Sequence, residues 1–198
     1  MSDKEASITG LILPYRGISP TIAEDAFIAE TAVVIGDVVI GPGASIWYGC
    51  VLRGDVNKIR VGRNTNLQDG TIVHCNDPRE GDYRDIGGGE PTHIGDGVVV
   101  GHMALIHACT IEDGAFIGMR AVILDRAVVA SGAMVAAGAV VTPGKTVKSG
   151  QLWAGIPARY ARDLRAEERG EAAWIVEHYR ELAGHYRARP SGDGASSS

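Results

Sequence analysis

The chain has 198 residues, 45% apolar and 22% charged, with a net charge of −5. That length allows one domain with a substantial core plus an appendage, and the mild acidity argues against nucleic acid or an anionic membrane as the main partner. No apolar run reaches the ~18–20 residues that span a bilayer, and the opening MSDKEASITG lacks the apolar stretch of a secretory signal.

The cysteines Cys50, Cys75 and Cys109 form no CxxC pair, which suits reduced thiols, and the expected location is cytoplasmic. The 27 glycines against two phenylalanines point to many turns and small-residue packing.

From Ile22 an aliphatic residue recurs every six positions: Ile22, Ile28, Val34, Ile40, Ile46, Leu52. After three extra residues the beat resumes at Val61, Leu67 and Val73, and past an interruption at Ile94, Val100 and Ile106. One residue is then dropped, and Ile111, Ile117, Ile123, Val129, Val135 and Val141 follow. Four residues after each aliphatic the side chain is usually small or β-branched, as at Ala32, Cys50, Thr71 and Ala121. Neither a helical nor a simple alternating period gives this pattern. Each hexad reads as a short strand and a corner, with the aliphatic pointing into a narrow interior.

Three hexads close one triangular coil, and coils stack through parallel ladders ~4.8 Å apart. The expected fold is therefore an all-β solenoid, a parallel β-helix of about six coils over residues 1–160, with an inserted loop at about 76–92. Handedness does not follow from the count, and long sheet crossovers are normally right-handed. Past Val141 the beat fades, and "LWAGIPARYARDL" is expected to carry the chain off the prism. Residues 161–189 follow as a C-terminal helix, with Ile175, Tyr179, Leu182 and Tyr186 along one stripe facing the prism or a neighbouring subunit. Residues 190–198, ending SGDGASSS, are expected to be disordered.

The repeat register places the histidines. The third strands of successive coils begin at Val34, Leu52, Val73, Ile106, Ile123 and Val141, and the next residue of each points outward. Arg53, His74 and His107 therefore form a vertical column. Gln68 holds the matching outward position on the second strand of His74's coil, with Asp69 beside it, and His102 lies on the second strand of the next coil. Two imidazoles one rung apart can share a metal at ~2.0–2.1 Å. His102 starts from another face, so a symmetric oligomer would have to present it, and a threefold head-to-tail ring suits a triangular prism. Three histidines and an open position describe a catalytic rather than a structural zinc site. Against an accidental cluster stands the alignment of two histidines on one column. Cys50 and Cys109 read as packing, Cys75 is turned away from the column, His93 stands outside it, and His178 and His185 read as surface residues.

The hexads, "RGD" at 53–55, "NLQDGTIVH" at 66–74, "VGHMALIHACTI" at 100–111 and "LWAGIPAR" at 152–159 together resemble the γ-class carbonic anhydrase family, over about residues 10–165. The resemblance implies a left-handed β-helix and a homotrimer with metals at its interfaces, His74 and His107 coming from one subunit and His102 from its neighbour. It implies Zn²⁺, with Fe²⁺ or Co²⁺ as alternatives, and reversible hydration of CO₂ to bicarbonate by metal-bound hydroxide. Gln68 matches the residue that orients the metal-bound water, while Arg53, Asp55 and Asp69 match an interface salt-bridge network. Asp77 stands where well-known members carry a glutamate proton shuttle, and Val56 replaces one of their active-site glutamates. Two other readings stay open: a metal-binding trimeric scaffold with weak or no catalysis, and a hexapeptide-repeat acyltransferase using one histidine as base. For the latter, three clustered histidines are redundant.

Overall fold

A computed structural model describes residues 10–188; the tail expected at 190–198 lies outside the described residues. The hexads become strands mostly two residues long, as at Phe27–Ile28, Ser45–Ile46 and Asn66–Leu67. Such strands are too short to stand alone, so each depends on the rungs above and below for its hydrogen bonds. They pair in parallel into three faces. The first face carries Thr21–Ile22, Thr92–Ile94, Thr110–Ile111 and their neighbours. The second runs from Phe27–Ile28 through Val99–Val100 to Gln151–Ala154. The third stacks Leu11–Leu13, Ile72–His74, Leu105–His107, Val122–Ile123 and Val140–Val141 with parts of Val33–Ile40 and Val51–Val61.

The inward aliphatics form one continuous column: Ile28, Ile46, Leu52, Leu67, Ile106, Ile117 and Ile123 are each 0% exposed. Burying such a side chain contributes roughly 1.5–3 kcal/mol. At the corners Ala26, Ala32, Thr65, Thr71 and Ala121 are equally buried, because anything larger would push the coils apart. The three thiols belong to this interior, and burial pushes each up to about 12, so they are inert packing groups.

Among the described residues each face stacks seven parallel strands, one more than the expected six. Leu11–Leu13 pairs beneath Val33–Ile35 before the hexads begin. At the other end Val147 and Trp153 keep the six-residue spacing after Val141, but Thr146 and Gln151 beside them hide the aliphatic signature. The segment expected to leave the prism at "LWAG" is thus its last rung on the second face, and Arg159–Asp163 then folds back antiparallel upon it.

Val33–Ile40 and Val51–Val61 run unbroken around the corner from the third face to the first, and the three extra residues lie in the second of them. The two strands nearly touch there: a Cβ on Gly36, whose φ is +75°, would lie 2.3 Å from the Gly54 oxygen. Buried Asn57 in the same strand donates 3.1 Å hydrogen bonds to the carbonyls of Asn76 and Gly88, pinning the inserted loop's two ends. The loop itself holds one short helix, α1 (Tyr83–Ile86), whose Tyr83 hydroxyl donates to the Asp37 carboxylate at 2.8 Å.

The C-terminal helix, α2 (Ala166–Arg187), lies on the second face of its own prism. Tyr179, Leu182 and Tyr186 pack against Phe27, Ala29 and Trp47, with Trp47 edge-on to Tyr179 and Tyr186 at 5.2 and 5.3 Å. A bidentate pair from Arg162 to Glu168, both contacts 2.7 Å, fixes the helix start.

Candidate metal centre

The column expected on the third face is present in register: Arg53 pairs with His74, and His74 with His107. The backbone under His74 is clamped by buried Thr92, whose hydroxyl donates to the His74 carbonyl. The imidazoles are tilted at 5.3 Å between centroids, and Nδ1 of His74 lies 3.3 Å from Nε2 of His107.

What distinguishes these histidines from surface residues is the carboxylate each one meets. His74 Nε2 lies 3.1 Å from Asp55 Oδ1, and Arg53 grips the other Asp55 oxygen at 2.6 Å. His107 Nδ1 lies 2.5 Å from Asp125 Oδ1, and His102 Nδ1 lies 2.9 Å from Asp69 Oδ2. A carboxylate accepts, so in each pair the proton sits on the imidazole nitrogen that faces it. The second nitrogen of each ring is then left with its lone pair.

For His74 and His107 those two lone pairs face each other across 3.3 Å. They repel unless a proton or a metal cation stands between them. The distance is the edge of a tetrahedron with bonds of ~2.0–2.1 Å, about 3.3–3.4 Å. The donor set therefore fits a divalent metal. Burial, opposed by the Asp55 hydrogen bond and helped by the charges of Arg53 and His107, lowers the His74 pKa below the ordinary imidazole value, so the ring is a neutral donor. Burial disfavours ionised Asp55, but hydrogen bonds from Arg53 and His74 outweigh it and hold that carboxyl below its usual range.

His102 is elsewhere. It lies at the corner between the second and third faces with Asp69, and Gln68, nearly buried, donates to Asn66 Oδ1 at 3.2 Å. Among the described residues of one chain, no three His, Cys, Asp or Glu side chains converge on a common point. Gln68, Asp69 and His102 form one group on the second face, and Arg53, Asp55, His74 and His107 another on the third. Asp77 is exposed and makes no hydrogen bond or ion pair among the described residues; it lines a polar cleft of about 350 Å³ with Asn76, Arg79, Glu90 and Arg126.

Two features went unread in the sequence. Asp125, which holds His107, follows the hexad aliphatic Ile123 by two residues and lies in the corner of the next coil. The signal was the dropped residue. In His107's coil the corner is one residue short, so Arg126 sits directly over Ala108, N–H to carbonyl at 2.7 Å, and Asp125 reaches His107. The second feature is strain. Met103 and Ala108, the residues after His102 and His107, have φ of 60° and 48°, and Arg120 and Arg126 repeat this one coil on. Neighbouring coils place Gly49, Gly70, Gly138 and Gly144 in such left-handed turns. A non-glycine there costs of order 1–3 kcal/mol, and such strain concentrates at functional sites.

Comparison with known proteins places the chain among hexapeptide-repeat proteins. Residues 19–54 and 108–143 match the family Bacterial transferase hexapeptide (six repeats). The chain is 42% identical to a carbonic anhydrase of Geobacillus kaustophilus over 90% of its own length and 92% of that protein's. It is 50% identical to the mitochondrial gamma carbonic anhydrase 2 of Arabidopsis thaliana over 83% of this chain, which spans only 58% of the plant protein. Among solved structures, a hexapeptide transferase family protein from Anaplasma phagocytophilum superposes with a TM-score of 0.81 at 47% identity, covering 89% of this chain and 98% of that one.

Proposed function

The chain belongs to the γ-class carbonic anhydrase family, and on that footing we propose that it interconverts CO₂ and bicarbonate at a metal centre completed between copies of itself. The observation that carries the reading is the trio of histidines, each fixed by its own carboxylate, with two lone-pair nitrogens 3.3 Å apart and the third ligand on another face.

A divalent ion such as Zn²⁺, held by His74 and His107 of one copy and His102 of a second, would supply the charge that makes a hydroxide nucleophile available near neutral pH. Everything else falls to side chains. Asp55, locked by Arg53, keeps the His74 lone pair aimed inward, and Asp69 does the same for His102. Gln68 shares the second face with His102, so a copy that delivers one delivers the other, and its amide can orient water or bicarbonate. Asp77, exposed in its polar cleft, would pass the released proton to bulk water.

The second copy is supported by the outer surface of the third face. Leu11, Val33, Val51, Ile72, Leu105, Val122 and Val140 stack there as one aliphatic ladder beside the histidine column. Leu11, Ile72 and Leu105 are 52%, 39% and 37% exposed in a single chain. A contiguous apolar stripe marks an interaction surface. Mating it to the Gln68–His102 corner of another copy is a heterologous contact, which a threefold ring closes.

Stopped-flow CO₂ hydration on metal-analysed protein of measured mass, loaded with zinc or, anaerobically, with iron, tests the reading. A trimer with about one metal per chain, whose hydration is lost in His107→Ala while the trimer persists, is the expected result. Full metal occupancy without hydration in either form would leave a scaffold, and metal-free acetyl transfer from acetyl-CoA would leave an acyltransferase. Either outcome overturns the proposal.

A further inference from the structure

We propose that Asp125 is a positioning residue of this centre, fixing the His107 ring so that its Nε2 lone pair points at the metal. The inference rests on the functional reading above. Asp125 comes from the coil beyond His107 and reaches back across the shortened corner, its Oδ1 2.5 Å from His107 Nδ1. Its other oxygen is not idle. Asn76 Nδ2 lies 3.4 Å from Asp125 Oδ2 and 3.3 Å from Glu90 Oε2, and Arg126 holds the remaining Glu90 oxygen at 2.6 Å. The inserted loop, through Asn76 and Glu90, thus braces the carboxylate that braces the ligand.

The brace matters because His107 stands next to a left-handed turn at Ala108, where the backbone is strained. A ring that can turn about χ2 presents either nitrogen; a carboxylate on one side selects the Nδ1–H tautomer and the Nε2 donor. Asp55 does for His74 what Asp125 does for His107, but Asp55 is itself gripped by Arg53, whereas Asp125 depends on a loop amide.

Two readouts test this. In metal-free protein at pH 8.5, long-range ¹⁵N–¹H correlation should find His107 protonated at Nδ1 in the wild type. Asp125→Ala should move it towards the Nε2–H form, and Asp125→Asn, whose amide oxygen still accepts, should retain much of the Nδ1–H form. In chelator competition with Zn²⁺, Asp125→Ala should bind about 10–100-fold more weakly, with the trimer and the metal-free melting temperature unchanged. An unchanged tautomer, or unchanged zinc affinity in Asp125→Ala, overturns the assignment while leaving the metal centre standing. A wild type that binds no zinc overturns both together.

Discussion

Two columns on the same prism carry histidines, and they differ in what surrounds them. On the third face Arg53, His74 and His107 stack in register, and Asp55 and Asp125 take one nitrogen of each ring. On the first face Arg60, His93 and Thr110 stack in the same way. The His93 ring is exposed, makes no hydrogen bond among the described residues, and has Arg60 and Lys58 as charged neighbours. The backbone is equivalent, and so is the residue type. A cationic surround repels a metal ion, while a carboxylate behind the ring leaves a lone pair forward and adds negative charge. The solenoid supplies positions; the carboxylates make two of them fit the proposed site.

The sharpest way to break that contrast is to remove one ring at a time. His74→Ala or His107→Ala should abolish stoichiometric zinc binding, measured by elemental analysis after dialysis, without altering the circular dichroism. His93→Ala should keep full occupancy. Collapse of the fold in the first two variants would mean that the column holds the solenoid together and is no surface site.

A milder effect is expected from building a rival. Thr110→His, placed in protein already carrying His74→Ala and His107→Ala, puts two imidazoles one rung apart on the first face. In a second protein His102→Ala reduces the native centre to its own pair. Followed by Co²⁺ absorption, the native pair should bind about 10–100-fold more tightly, since only its rings have carboxylate partners. Equal affinities would show that stacking alone suffices and that Asp55 and Asp125 are incidental.

Much of this was legible from spacing. The hexads placed the inward aliphatics from Ile22 to Val141 and set His74 above Arg53 and below His107, because the beat resumes after each insertion and side chains alternate faces along each strand. The end rungs were not read, since Val147 and Trp153 keep the interval but Lys145 and the aromatic Trp153 break the composition that announces it. Asp125 was missed for a different reason. It lies at a corner, where repeat logic places only small or turn-forming residues, and its contact depends on a deletion one coil earlier. Periodicity predicts what repeats; Asp125 works where the repeat slips.

The smallest test concerns protons. The packed side of the His93 ring is desolvated, and Arg60 and Lys58 add repulsion, so its folded pKa lies below the ordinary value; His74 is lowered too, chiefly by burial. In both cases the unfolded chain takes up a proton first as pH falls. The stability tied to each neutral ring is therefore complete above about pH 6.5 and declines as pH drops towards the folded value. For His93 this is the only consequence of its surroundings. Metal-free protein should lose melting temperature between pH 7 and 5, with a shallower loss in His93→Gln. Arg60→Gln should also soften the slope by relieving the repulsion, at the expense of its 2.8 Å pair with Asp37. Zinc should steepen the His74 contribution, because a ring that donates its lone pair to a metal cannot take up a proton in the folded state while the unfolded chain still does, and should leave the His93 contribution untouched. A His93 slope that steepened on adding zinc would place that ring in the metal's reach and erase the distinction between the two columns.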